Sequence, residues 1–381
     1  MLYLDYAAST PVRSGALDVL ETSMRDDFAN PSSAHKPGKS LHRRIESCRA
    51  EFLNFLGAAG DDKLIFTSSA TESNNTVIAG IDLNENDSLV ISAADHPSVT
   101  GPVEHLKKRY AGMKVKELPL QTDGCPDEEG LLQLIDKTVK LVILTHVNNQ
   151  SGIITDVCTV SRKIKAVNPG IHVHVDAAQS FGKIPLSLKE GNIDSLCISS
   201  HKTGGPKGIA GLYLHSDTSL SPLLYGGGQE NGLRSSTQAA PLIFSFHEAA
   251  REALETMELS MAHVTTLNRA TRQRLSEKIK KLRFPFSKDV SPYILTFILP
   301  GISSDIILRH LERKGIIISS SSACSSKIKG GNPVFSALHI PKNEQKFVLR
   351  TSFSHETTEK DIICFCDTLA GIYNDLKLYI N

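Results

Sequence analysis

Along the first two-thirds of the chain, short apolar runs alternate with longer stretches in which apolar positions recur every three or four residues. KLIFT (63–67) is followed by ESNNTVIAGI, SLVISAADH (88–96) by PSVTGPVEHLKKRY, and KLVILTHV (140–147) by VCTVSRKIKAV. IHVHVD (171–176), SLCISS (195–200) and GIAGLYL (208–214) come next with only short connections. Runs of this length predict buried strands, and the periodic stretches predict helices packed over them. The pattern predicts an α/β fold with a mostly parallel sheet between helices.

From about Pro241 to Lys281 the chain reads as one long polar-faced helix with at most one break. YILTFILP, DIILRHLERKG, IIISS, FVLRTSF and a terminal helix from Thr358 follow, a mixture that predicts a smaller α+β domain. The expected division is a large domain over 15–255 and a small domain made of 1–14 and 256–381. No internal repeat is present, and the one low-complexity stretch is the serine cluster Ser319 to Ser322.

A length of 381 residues is ample for two cores of this kind. Forty-two lysines and arginines face 41 aspartates and glutamates, so no global field favours nucleic acid. The apolar runs are too short to span a bilayer, and MLYLDYAAST has neither a basic n-region nor a cleavage-type apolar segment. The expectation is a soluble, cytoplasmic protein with no membrane partner and no direct nucleic-acid binding.

Seven cysteines are present, with no spacing typical of a zinc ribbon or a redox pair, so no metal site is expected. Cys364 and Cys366, two apart, should point to different sides of a helix. Most of the seven read as small buried hydrophobes. Cys324 differs, because SSSSACSSKIKGGNP surrounds it with small polar residues and places Lys327 and Lys329 nearby, a setting for an exposed thiolate. An incidental surface cysteine fits the same composition.

The candidate chemistry centres on Lys202 in ISSHKTGGPKG, with Asp176 lying 26 residues upstream at the end of IHVHVDAAQ. A lysine amine that binds an aldehyde and a carboxylate that keeps a pyridine nitrogen protonated are the two groups needed by pyridoxal phosphate (PLP) chemistry. A surface lysine in a glycine-rich turn is the plainer reading of Lys202 alone. FTSSATESNN offers either an anion site at a helix N-terminus or an ordinary cap on Ser69 or Thr71. His96, read as closing a strand, fits a ring-stacking proton shuttle or a structural histidine. Asn149 fits a contact to a phenolic oxygen or a plain turn. GGGQENGLRSST (226–237) reads as a flexible loop, and Arg350 in FVLRTSF as an ion-pair partner or a clamp for a substrate carboxylate.

Together these segments resemble the cysteine desulfurases, within the class V aminotransferase family of fold-type I PLP enzymes. The resemblance runs nearly end to end, through LDYAASTP, NPSSAH, FTSSATESNN, the Asp95–His96 pair, HVNNQSG, HVDAAQS, SSHKTGGPKG, GGGQENGLRSST, SSACSS and LRTSF. The serine-rich loop around Cys324 is similar to the group with a longer, mobile cysteine loop. Ser69, Gln150 and Ser321 depart from the usual glycine, glutamate and glycine. The end, NDLKLYIN, reads as shorter than in members whose tail docks an iron–sulfur scaffold.

The resemblance implies a seven-stranded sheet in the large domain and PLP as cofactor. It implies that Lys202 holds the cofactor, that Asp176 pairs with its ring nitrogen and that His96 stacks on the ring. Gln179 and Asn149 would meet the phenolic oxygen side, and Ala70, Thr71, Ser199 and His201 the phosphate. Thr237 would reach the phosphate of a neighbouring subunit, which implies a homodimer. Arg350, helped by Asn30, would bind the carboxylate of L-cysteine, and Cys324 would accept its sulfur as a persulfide. A sulfur-acceptor protein is implied but not identified: iron–sulfur assembly, tRNA thiolation and DNA sulfur modification all fit. An aminotransferase or selenocysteine lyase would share fold and cofactor, although a pure aminotransferase needs no thiol. A sulfur-relay or scaffold-binding protein without turnover is the alternative of another class. The joint presence of Lys202, Asp176, His96, Cys324 and Arg350 argues against it.

Overall fold

The computed structural model describes residues 1–320 and 332–377. In chain order its strands are β1 (Leu2–Tyr3), β2 (Lys63–Thr67), β3 (Ser88–Ile91), β4 (Lys114–Glu117), β5 (Val139–Thr145) and β6 (His172–Asp176). They continue with β7 (Ser195–Ser199), β8 (Ala210–Leu214), β9 (Ile294–Ile298), β10 (Ile316–Ile317) and β11 (Val348–Ser352). The central sheet has seven strands in the order β2-β8-β7-β6-β5-β3-β4. Five of them, β7-β6-β5-β3-β4, pair in parallel, while β8 runs antiparallel to both of its neighbours. Two antiparallel steps restore the direction of β2, so its carboxyl end lies on the same edge as those of β5, β6 and β7.

Alternation along each strand sorts side chains to two cores. Val142, Leu144, Val173, Val175, Leu196 and Ile198 join one face, packed with Ile45 and Phe52 of the helix Lys36–Leu56. Leu89, Ile91, Leu141 and Ile143 join the other, with Val77 and Ile78 of the helix Ala70–Gly80. Phe52 is fully buried, with the rings of Phe246 and Phe66 centred 4.7 and 5.9 Å away. Truncating a ring in such a setting costs about 3–5 kcal/mol.

On the second face the apolar alternation fails in β6 and β7. His172, His174 and Asp176 project from one strand and Ser195, Cys197 and Ser199 from the next, with His174 beside Ser195 and Asp176 beside Cys197. This polar seam lies beneath the helix Ala70–Gly80 and leads to the carboxyl edge of the sheet.

The predicted long helix is two helices, Ala240–Glu255 and Met257–Lys278, separated at Thr256. Beyond it, β9 pairs antiparallel with β11, and β1 from the start of the chain pairs in parallel with β10. Leu4, Leu295, Phe297, Leu349 and Phe365 fill a third core. The helix Glu359–Lys377 carries Cys364 exposed and Cys366 buried, as their spacing predicts. Among the described residues no helix is long and apolar enough to cross a membrane.

Candidate active site

Open parallel sheets collect ligands at the carboxyl ends of their strands, because the following helices begin there with unpaired N–H groups. Lys202, Asp176 and Ser199 lie at that edge. β6 ends in Asp176 and β7 in Ser199, after which a single helical turn, Ser200–Thr203, carries Lys202. Gly204 closes that turn at φ +94°, where a Cβ would meet the side chain of Arg13 at 2.7 Å.

The Lys202 Nζ donates to the carbonyls of Ala7 (2.5 Å) and Ala8 (2.8 Å), so the LDYAASTP segment lies across the mouth of the site. Burial and the nearby Arg350 guanidinium pull this amine down to about 8, against the attraction of Asp5 and Asp176. An amine lowered this far yields the neutral, nucleophilic form, the one that attacks a carbonyl, more readily than an ordinary lysine. Gln179 Nε2 donates to the same Ala7 carbonyl at 2.8 Å.

Asp176 is buried and has donors on both oxygens. Its Oδ2 accepts from Asn74 Nδ2 at 2.9 Å, while Oδ1 accepts from the Ala178 N–H at 3.0 Å and faces Cys197 Sγ at 3.5 Å. Burial and the adjoining Asp176 push the Cys197 thiol well above its usual range, so it is an inert donor.

His96 is placed differently from its expected position at a strand end. β3 stops at Ile91, and His96 is the N-cap of the helix Pro97–Arg109, with Nδ1 accepting from the Ser98 N–H at 3.1 Å. Proline at the first helical position explains the displacement, since His-Pro marks a helix start. Between strand and cap, Asp95 holds the turn by accepting from the Ser92 N–H (2.9 Å) and Thr145 Oγ1 (2.7 Å). Burial lowers the pKa of His96, Asp176 opposes that shift and Lys202 adds to it, so the imidazole stands within the field of both.

Ser69 is the N-cap of the helix Ala70–Gly80, accepting from the Glu72 N–H at 3.1 Å. Its φ of −167° is extended backbone open to any residue, so serine in place of the usual glycine carries no strain. Glu72 accepts from the Ser68 N–H at 2.8 Å and pairs with Arg234 at 2.9 Å. Ala70 and Thr71 open the first turn, at an N-terminus suited to an anion. His201, on the turn after β7, has its Nδ1 3.2 Å from Ser9 Oγ; burial, Lys202, Lys207 and Lys183 lower it to about 4.

The glycine-rich loop is tied down, in contrast to its flexible reading. Glu230, at φ +51°, inserts its carboxylate between Arg49 Nη1 (2.7 Å) and the Phe66 N–H (2.8 Å). Arg350, also buried, donates to the Asn149 carbonyl (2.8 Å) and to Asp5 Oδ1 (2.7 Å), and its Nε has no partner among the described residues. The Asn149 side chain is half-buried beside it.

Two candidates stand apart in this chain. Asn30 and Thr237 are exposed and adjoin a surface groove of about 810 Å³ lined by Pro31, His42, Arg43, Gln229 and Gln238. Cys324 lies outside the described residues. Asp5, Asn74 and Ser98 were given no role from sequence, although all three stand in or beside quoted motifs; their distant partners made them visible only in the fold.

Fold and site together define an α/β enzyme with a lowered lysine amine, a buried carboxylate and an imidazole at one sheet edge. Comparison with known proteins agrees. The class-V aminotransferase family matches residues 2–365. The cysteine desulfurase IscS of Dictyoglomus turgidum is 32% identical over 383 residues, 99% of this chain and 95% of that protein. A solved NifS-like protein has a TM-score of 0.90 at 28% identity, covering 98% of this chain and 99% of the other. SspA in complex with cysteine has a TM-score of 0.79 at 29% identity, covering 94% of this chain and all of the other. The chain belongs to the class-V aminotransferase family.

Proposed function

We propose that the protein is a PLP-dependent L-cysteine desulfurase that releases L-alanine and passes sulfur on from Cys324. The observation that carries this reading is the convergence of Lys202, Asp176 and His96 at the carboxyl edge, in a family whose matched members include cysteine desulfurases.

The residues present fit the cofactor. Lys202 supplies an amine that is readily neutral, Asp176 an acceptor for a protonated ring nitrogen, and the first turn at Ala70 and Thr71 a seat for phosphate, with Ser199 and His201 beside it. Gln179 and Asn149 would meet the phenolic oxygen. When bound, PLP supplies an electron-accepting ring; the chain does the rest. Lys202 takes the Cα proton of the substrate. Arg350, whose Nε has no partner among the described residues, holds the substrate carboxylate; Asn30, which stands apart from it in this chain, carries no step here. His96 presents Nε2 to the site, because its Nδ1 is occupied, and moves the thiol proton. Cys324 then takes the substrate sulfur as a persulfide for a sulfur-acceptor protein.

A homodimer completes the reading. Thr237 is exposed in its own chain and stands at the rim of the same groove as Asn30, as suits a residue that serves a partner's site. The division into a domain over 15–255 and another over 1–14 and 256–381 accords with the strand pairing of the two chain ends. The function is tested by incubating PLP-loaded protein with L-cysteine and a reductant while measuring alanine and sulfide together. Equal amounts of the two support the desulfurase; pyruvate and ammonia in place of alanine would refute it.

A further inference from the structure

The polar seam on β6 and β7 is a row of hydrogen bonds with a single direction, and its order follows from valence. Asp176 Oδ2 is a carboxylate acceptor, so the Asn74 atom 2.9 Å from it is the amide nitrogen. The other proton on that nitrogen points to Ser98 Oγ, also at 2.9 Å. Asn74 Oδ1 is therefore the atom facing His174 Nε2 at 2.9 Å, which makes Nε2 the protonated nitrogen of that ring. His174 is fully buried and neutral, so its Nδ1 accepts from Ser195 Oγ at 2.8 Å. With its hydrogen committed, Ser195 Oγ accepts from His172 Nε2 at 2.7 Å.

We propose that His172, Ser195, His174 and Asn74 form a one-way donor chain that fixes Asp176 as an acceptor, and that Asn74 is the positioning residue coupling Asp176 to His96. The coupling runs through Ser98. Its hydroxyl accepts from Asn74 and stands 2.9 Å from His96 Nδ1, while its backbone N–H donates to the same nitrogen. A backbone N–H can only donate, so neutral His96 carries its proton on Nε2. One amide thus orients the carboxylate and, through a serine, the imidazole. The chain does not conduct protons, because an amide cannot accept one and release another as an imidazole can. It orders dipoles in a low-dielectric seam, where each bond reinforces the next. Its outer end, His172, reaches the wall of an open groove of about 850 Å³ at the opposite edge of the sheet.

What Asp176 would hold rests on the PLP reading, but the order of the chain does not, and the test separates them. Histidine-selective ¹⁵N labelling of the PLP-free full chain, with resonances assigned by single His variants, reads the tautomers at neutral pH. His96, His172 and His174 should each be neutral with the proton on Nε2. In Asn74→Ala, His174 should become a tautomer mixture, while Ser195→Ala should leave its Nε2–H in place and release only His172. If Asn74→Ala does not fold, the wild-type tautomers and Ser195→Ala decide. A proton on Nδ1 of His174 or of His96 in the wild type overturns the chain, as does a His174 tautomer unchanged in folded Asn74→Ala.

Discussion

Asp5 Oδ1 lies 2.7 Å from Arg350 Nη2, joining the start of the chain to a strand near its end inside a buried setting. The other oxygen of Asp5 accepts from Ser319 Oγ at 3.1 Å, and Ser319 also pairs through its backbone with Arg350. One carboxylate therefore holds the proposed substrate arginine and the first residue of the serine cluster that precedes Cys324 in the sequence. It also acts on Lys202, whose ammonium form it favours.

Asp5→Asn removes that favourable charge and leaves Arg350 opposing a protonated lysine. The Lys202 amine should then titrate below its value of about 8. The pH dependence of Lys202 acetylation in PLP-free protein, resolved by peptide mass spectrometry, measures it. A profile equal to wild type would show that Asp5 does not set the amine.

Glu230 is 5% exposed and takes hydrogen bonds from Arg49, Phe66 and Gln238. Glu230→Ala removes the buried partner of Arg49 and leaves it only the half-exposed Glu46, 3.1 Å away, as an ionic partner; breaking a buried pair costs up to about 3–5 kcal/mol. Urea unfolding should show a loss of that size together with faster proteolysis within 226–237. A loss below about 1 kcal/mol, the range of exposed pairs, would place Glu230 on an open surface.

His146 is 4% exposed, and burial lowers it to about 4, with Asp156 opposing. The unfolded chain takes up a proton near pH 6.5 that the native state refuses until about pH 4. Stability contributed by the neutral ring is complete above pH 6.5 and falls by about 1.4 kcal/mol per pH unit as pH drops through that window. Burial lowers His172 and His174 as well, so the acid limb is steep. His146→Gln should flatten the urea-derived slope between pH 6 and 5 by about one proton; an unchanged slope contradicts a buried neutral ring.

Much of this architecture could be read from local pattern. Apolar runs such as KLVILTHV announce strands buried on both faces, and HVD places Asp176 at a strand end because the run stops there. The apolar run alone puts His96 at a strand end, whereas Pro97 signals the helix start that the fold shows there. The rest is non-local. Asp5 meets Arg350 across 345 residues and Glu230 meets Arg49 across 181, and no periodicity encodes such pairings. Three glycines made 226–237 look free because composition registers backbone freedom and misses one buried carboxylate. Asn74 read as part of a helix start, and its two amide protons acquire meaning only once β6 and the helix Pro97–Arg109 lie beside it.

The most direct test of the account concerns Cys324, since sulfur transfer needs a thiol nucleophile and the other reactions of this fold do not. PLP-loaded wild-type and Cys324→Ser proteins are treated with L-cysteine, alanine is quantified, and the proteins are alkylated for mass spectrometry. The account predicts one added sulfur on Cys324 in the wild type. In the variant it predicts bound cofactor and intact L-cysteine binding, with alanine production lower by orders of magnitude. Alanine formed by Cys324→Ser at the wild-type rate would contradict it.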